Sequence, residues 1–419
     1  MKNLRSLSVA IVLAVLGLVY AQPVEVVWWD FLGGGDGVRM KALIDEFNAT
    51  HDDIQINGTT LEWGVPYYTK VQTSVAVGES PDIMTYHLSR FPSAVPQGLL
   101  RPFSEEELAG VGLSLGDYFE GEIEKATVDG QVYGIPLDIH AIVLYYNKEI
   151  LGSVGLLDEN GLPAGFDGLD NFNAAMQKIK DEAGVIPLSI EHGSGTAWRI
   201  FYSLLGQQGA SFIEGNEVVA GEAGVTALQT MTDWVSEGLA SDFVDYNASK
   251  ALFASGEAAM HINGVWEVPT WVDFAAAGEL FEWGAIEIPT LFAQPATWAD
   301  SHAFVIPNSE ARPVEGEKLQ AVLEVISWMN KNSLFWATAG HIPGYAPVVA
   351  SDEYQAMEPN ATYASLANNV LFDPDSPVAG VASPTYDAAG NLLVPALSGQ
   401  LPVERAIQMM KQELESQLR

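Results

Sequence analysis

The 419-residue chain has no cysteine, only 19 lysines and arginines against 54 aspartates and glutamates, and seven histidines. Without cysteine there are no disulfide staples and no thiolate metal site, and the thioether anchor of a lipoprotein cannot form. The shortage of cations leaves a formal net charge of −35, a field that repels nucleic acid and anionic membrane and disfavours a polyanionic ligand. With few histidines and no H-E-x-x-H pair, no metal site and no cofactor are expected. Long apolar runs are also missing, apart from Leu7 to Val19, which is too short to span a bilayer. Lys2 and Arg5 precede that run and Val19-Tyr20-Ala21 closes it, the order of a secretory signal peptide. Cleavage after Ala21 is therefore expected, giving a mature chain that starts at Gln22 and is free in the periplasm of a two-membrane bacterium, with no direct membrane insertion.

Hydrophobic residues make up 48% of the chain, enough to build the two or more domains its length implies. Short apolar strands alternate with amphipathic helices throughout. Val24 to Trp29, Ile54 to Leu61 and Asp82 to Tyr86 are expected strands. Val38 to Asn48, opened by a glycine-rich turn at Gly33 to Gly37, and Tyr67 to Val77 are expected helices. A helix-rich region follows, with Asn171 to Lys180, Trp198 to Leu205, Gly224 to Glu237 and Ala248 to Ala254. Leu319 to Asn330 and Val403 to Leu418 are late helices. This alternation predicts an α/β architecture with mainly parallel sheets. No repeat or disordered linker separates the parts, so ordered crossings must join them.

The enzyme motifs present are weak. Gly112-Leu113-Ser114-Leu115-Gly116 matches G-x-S-x-G, but the preceding Ser104 to Gly110 reads as an acidic helix where a nucleophile elbow needs a strand. Gly33 to Gly37 fits neither phosphate-binding glycine pattern, although it can present backbone N–H groups and Asp36 to a ligand. Acidic residues are numerous, yet no spacing marks out a glycosidase pair. The chain is thus expected not to be an enzyme. An exported carbohydrate-active enzyme and a binder of a non-sugar solute remain as alternatives.

Aromatic residues stand out instead: 11 Trp and 14 Tyr, many beside Gly, Pro or polar neighbours. Trp63, Trp198, Trp266, Trp298 and Tyr345 are of this kind, whereas Trp28, Trp234, Trp328 and Trp336 lie on apolar strands or helix faces. A sugar ring has an apolar C–H face and a rim of hydroxyls, so it calls for flat aromatic platforms flanked by hydrogen-bonding groups. Asp300 and His302 follow Trp298 closely enough to supply such groups. Asp138 and His140 are two apart on an extended stretch, which sets both side chains on one face.

Several segments in order carry a family likeness. They are Pro81-Asp82-Ile83 with Arg90-Phe91 and Gly98-Leu99-Leu100; Ile135-Pro136-Leu137 with Leu144-Tyr145-Tyr146-Asn147-Lys148; Phe253-Ala254-Ser255-Gly256-Glu257-Ala258-Ala259-Met260 with Ile262-Asn263-Gly264-Val265-Trp266; and Leu397-Ser398-Gly399 with Val403-Glu404-Arg405-Ala406. Over essentially its whole mature length the chain resembles the oligosaccharide-binding group of extracellular solute-binding proteins, the maltose-binding-protein family. The resemblance implies a two-lobed periplasmic-binding-protein fold of type II with a multi-crossing hinge. Residues 22–137 with about 288–331 would form the first lobe, and 138–287 with about 332–419 the second. It further implies a monomer that closes on a sugar and hands it to the permease subunits of an ABC importer. Tyr86 and Arg90 fall where that family has an aromatic residue and an arginine on the cleft wall. His140 falls where maltose binders carry an acid, and Trp266 where they carry a stacking tryptophan. His87, Asp138 and His140 depart from the maltose binders' set, which puts maltose itself in doubt.

Overall fold

The computed structural model describes residues 22–419, so the expected signal peptide lies outside the described residues. The strands used below are β1 (Val24–Asp30), β2 (Ile54–Thr60), β3 (Ile83–His87), β4 (Leu100–Arg101), β5 (Ile135–Pro136), β6 (Asp138–Asn147), β7 (Ile186–Ser189), β8 (Ala258–Gly264), β9 (Trp283–Ile286), β10 (Thr297–Asp300), β11 (His302–Pro307), β12 (Ile342–Pro343) and β13 (Val370–Phe372). The helices are α1 (Gly34–Thr50), α2 (Val65–Val77), α3 (Ser194–Gln207), α4 (Gly316–Lys331) and α5 (Val403–Gln417).

Two sheets organise the chain. The first runs β2-β1-β3-β11-β4, with β5 added against β11; the second runs β13-β10-β6-β8-β7, with β9 and β12 also on β6. Pairing is parallel at β1-β2, β1-β3, β7-β8 and β10-β13. It is antiparallel wherever β6 or β11 is involved. Those two strands carry the chain from one sheet into the other, so they enter against the direction of the local βαβ units. All ten residues of β6 are buried, consistent with neighbours along both of its edges.

Local patterns explain the helices. In α1 the buried set Met40, Leu43, Ile44 and Phe47 follows helical spacing, as do Val403, Ala406, Ile407, Met410 and Leu414 in α5. The glycine-rich segment expected as a turn is mostly helical, because α1 begins at Gly34 and takes Asp36 into its first turn. Glu105–Gly110 is a helix closed by a Ser104/Glu107 capping box. Ser114 caps the short turn after it, and no nucleophile elbow is built there.

Three crossings lie side by side. Leu137 links β5 to β6, Ser301 links β10 to β11, and residues 340–344 return past β12. The Leu137 amide donates to the His302 carbonyl at 2.7 Å, and the Gly344 amide donates to the Leu137 carbonyl at 2.9 Å. The expected return near residue 288 falls later, at Ser301. The segment between carries β10, whose Ala299 and Asp300 pair with Ala141 and His140 in the second sheet.

Candidate functional site between the lobes

Each crossing delivers polar side chains into the seam between the two sheets. Asp138 and His140 open β6, Asp300 ends β10, His302 begins β11 and His87 ends β3; all five are buried. Four of the seven histidines gather here, with ring centroids 4.1 Å apart for His140 and His302, 4.9 Å for His87 and His302, and 5.8 Å for His140 and His341. Phe31 stacks on His87 at 4.6 Å.

Asp138 is the hub. Its Oδ1 lies 3.0 Å from His140 Nδ1, and its Oδ2 lies 2.8 Å from His302 Nδ1 and accepts Trp336 Nε1–H at 2.7 Å. Burial alone would raise its pKa, but the pull of His302 and His341 holds it well below the ordinary carboxylate range. A carboxylate can only accept, so His140 Nδ1 carries the proton. Burial, followed by repulsion from His302, pushes the His140 pKa down to about 3, leaving a neutral ring whose Nε2 is an acceptor. His87 Nδ1 is 2.6 Å from Tyr68 Oη, and burial drives that ring well below its usual value too. Among the described residues, the Nε2 atoms of His87, His140 and His302 have no hydrogen-bond partner, while the residues keep 2%, 3% and 5% of their surface exposed.

Aromatic and cationic groups flank these rings. Trp266 follows β8 in a short turn, half-buried, with Nε1 donating to Tyr246 Oη at 2.9 Å. Tyr246 in turn donates to Glu267, which also pairs with Lys250 at 2.8 Å. The Arg199 guanidinium sits 4.8 Å from the Trp266 ring and 4.4 Å from Trp298, and His140 is 6.1 Å from Trp266. Arg90 lies 4.7 Å from the Tyr68 ring. Gly264 makes this arrangement possible, since a Cβ there would come within 2.1 Å of the Trp266 indole.

The fold around this seam is shared widely. A model of the bacterial extracellular solute-binding protein family matches residues 42–365. The chain belongs to that family. The solute-binding protein is 24% identical to the lactose-binding protein of Rhizobium radiobacter over 311 residues, 71% of this chain and 69% of that one. It is 26% identical to the maltodextrin-binding protein MdxE of Bacillus subtilis over 231 residues, about half of either chain. Among solved structures it is similar to the GacH receptor of Streptomyces glaucescens, studied unliganded and with acarbose, at a TM-score of 0.78 and 18% identity over 94% of this chain and 98% of that one. These likenesses bear out the two-lobed α/β fold.

The residues marked from sequence divide into three groups. His87, Arg90, Asp138, His140, Trp266, Trp298, Asp300 and His302 converge on the seam. Asp36 borders it from α1, with Oδ1 3.1 Å from His341 Nε2 but out of line for a hydrogen bond. The others are placed differently. Tyr86 packs among Tyr67, Tyr68 and Phe91, and Trp198 is a core residue of the second lobe, donating Nε1–H to Asp373 at 2.7 Å and stacking on Tyr202. Trp63 is 49% exposed, and Tyr345 pairs edge-on with Tyr118. Trp298 and Asp300 are also fully buried. The Asp300 carboxylate accepts from the Ser89 and Ser301 amides and the Ser89 hydroxyl, and burial with the nearby Asp373 pushes its pKa up to about 7.

Sequence reasoning missed Arg199, Tyr68, Tyr246 and His341. Arg199 is the neighbour of a marked tryptophan; on a helix adjacent residues point about 100° apart, which puts one in the core and the other at the seam. His341 stands four residues before the marked Tyr345, in Gly340-His341-Ile342-Pro343, and an isolated histidine carried no sequence signal.

Proposed function

We propose that this protein captures a sugar in the seam between its lobes and delivers it to the permease subunits of an ABC importer. The observation that carries the reading is the convergence of unpartnered imidazole nitrogens from both lobes beside a half-buried tryptophan. His140 Nε2 is available as an acceptor, Arg90 and Arg199 are donors, and Trp266 offers an apolar surface. A polyhydroxylated ring needs all three. His87 and His302 come from the first sheet and His140 and Trp266 from the second, so one ligand touching both favours the closed arrangement of the lobes. Membership of an extracellular family supports export, with processing after Ala21 as the sequence pattern predicts, and among the described residues no helix is long and apolar enough to cross a membrane. The protein works as a monomer and releases what it binds intact.

A panel of mono- and oligosaccharides tested by thermal shift and calorimetry identifies the ligand, since a ligand that binds only the folded state raises the apparent melting temperature. The expected result is 1:1 binding, a smaller radius of gyration by X-ray scattering and recovery of intact sugar. Failure of every sugar, or release of reducing ends that a single carboxylate substitution abolishes, overturns the reading.

A further inference from the structure

The sequence gives no reason to expect a metal, yet the floor of the seam has the composition of a metal site. We propose that Asp138, His140, His302 and His341 bind a divalent transition-metal ion of the zinc, nickel and copper class at the hinge. One ligating atom from each of the four lies within 4.8 Å of all the others, and all four residues are buried. The backbone fixes this convergence. Asp138 and His140 are two apart on β6 and share a face. His302 follows the Ser301 crossing, and His341 immediately precedes β12, whose Pro343 pairs with Asp138.

The spacing suits coordination. Metal bonds of about 2.0–2.1 Å in a tetrahedron set neighbouring ligand atoms roughly 3.3 Å apart. From Asp138 Oδ2 the Nδ1 atoms of His302 and His341 lie 2.8 and 3.9 Å away, which bracket that value, and His140 Nδ1 lies 3.0 Å from the other carboxylate oxygen. Three imidazoles and one carboxylate favour zinc, nickel or copper over magnesium or calcium, which prefer all-oxygen cages.

His341 supplies an independent indication. It is fully buried, and neither ring nitrogen has a hydrogen-bond partner among the described residues. Its Nδ1 faces Asp138 from 3.9 Å, too far for a bond, while Nε2 looks toward the Asp36 carboxylate at 3.1 Å. An imidazole that ligates through one nitrogen and turns the other toward a carboxylate is the usual arrangement around a protein-bound metal. Trp336 Nε1–H on Asp138 Oδ2 plays the same supporting part for the carboxylate. Because His302 stands on the first sheet and the other three ligands on the second, the ion would tie the lobes at their pivot. This goes beyond sugar capture; with Nδ1 on the ion, His140 would carry its proton on Nε2 and meet a sugar as a donor in place of an acceptor.

The test uses the chain from Gln22 without an affinity tag, stripped by chelator and kept free of sugar. Calorimetry with Zn²⁺, Ni²⁺ and Cu²⁺ is expected to show one ion per chain, and Co²⁺ to give the visible absorption of a low-coordinate nitrogen and oxygen site. His341→Asn and His302→Gln should each weaken Zn²⁺ binding at least a hundredfold, whereas His51→Gln, remote on α1's end, should leave it unchanged. Should His341→Asn fail to fold, Trp336→Phe is expected to weaken binding tenfold or more through the lost support of Asp138. Absence of stoichiometric binding, or equal binding by wild type and both ligand variants, overturns the site. Sugar binding is measured separately in the presence of chelator, so a failed metal site and a failed sugar site are distinguishable.

Discussion

Trp266 and Gly264 together give a sharp test of the seam. Gly264 has φ −76°, a value open to any L-residue, so its backbone does not require glycine. The obstacle to a side chain is the indole, which a Cβ at 264 would meet at 2.1–2.2 Å. Gly264→Ala therefore pushes the Trp266 ring away from the seam while leaving the Gly264 carbonyl to accept Tyr145 Oη–H at 2.7 Å. A stacking aromatic in a binding site contributes on the order of 1–3 kcal/mol, so Trp266→Ala should weaken sugar binding by roughly ten- to a hundredfold. The ring is only half-buried, so its loss should cost less stability than the about 3–5 kcal/mol of a fully buried tryptophan. Gly264→Ala should lower affinity about tenfold in the wild type and have almost no effect once Trp266 is alanine, because the group it displaces is gone. Calorimetry and urea unfolding on the four proteins of the cycle measure both quantities. If Gly264→Ala weakens binding equally in both backgrounds, it acts through the strand and not the indole. If Trp266→Ala leaves affinity intact, the indole does not contact the sugar.

Three further outcomes are expected. Asp300 is held protonated up to about pH 7, whereas an unfolded aspartate ionises near 3.8; between those values the folded state binds the extra proton, so this group's contribution to stability falls as pH rises, by at most roughly 4 kcal/mol. Asp300→Asn should therefore gain stability relative to wild type between pH 4.5 and 8 in urea unfolding, and a pH-independent difference would show that Asp300 is ionised throughout. Trp198→Phe removes the hydrogen bond to buried Asp373 and should lower stability by about 1–3 kcal/mol with little change in sugar affinity, while Arg199→Ala should do the reverse; calorimetry with unfolding on each separates them. Gly340 has φ +93°, and a Cβ there would lie 1.9 Å from the Val265 carbonyl oxygen, so Gly340→Ala should cost more than about 2 kcal/mol in urea unfolding; a loss below about 1 kcal/mol would show that this crossing relaxes freely.

Much of the fold was legible because it rests on local pattern. Apolar spacing placed α1, α2 and α5 to within a few residues, and the acidic segment after Ser104 declared its helix through the capping box. Strand direction was less legible: β6 and β11 read as ordinary strands, and only the crossings at Leu137 and Ser301 force them to run against their neighbours. The return crossing at Ser301 is hidden in the sequence for the same reason, since Thr297–Asp300 and His302–Pro307 run on with a single serine between them. At the site, extended-strand alternation paired Asp138 with His140. That reasoning could not foresee that Asp138 spends its oxygens on His140, His302 and Trp336 and is sealed from solvent. Helical phase buries Trp198 and turns Arg199 toward the seam, because the polar neighbours that flank this tryptophan in sequence lie on a different face of α3 once it is wound.

Rare residue types carry information about the site. In a chain with 54 acidic residues and 19 lysines and arginines, an arginine on the surface finds a carboxylate close by, so one without an ion pair is informative. Neither Arg90 nor Arg199 makes a salt bridge among the described residues; each packs on aromatic rings beside the seam. Four of only seven histidines meet at the same place, on segments separated by up to about 250 residues. Chance burial would scatter so few imidazoles through two lobes. Their convergence follows from the hinge, where three crossings run side by side and the residue next to each crossing must face either the partner lobe or the space between. Polar side chains there meet water when the lobes part and one another or a ligand when they close. Groups able to both donate and accept suit that alternation, and here they surround the ionised Asp138 and supply it with donors. Imidazole meets that requirement, and an acidic chain that keeps its few histidines at the pivot has placed them where opening and closing change their surroundings most.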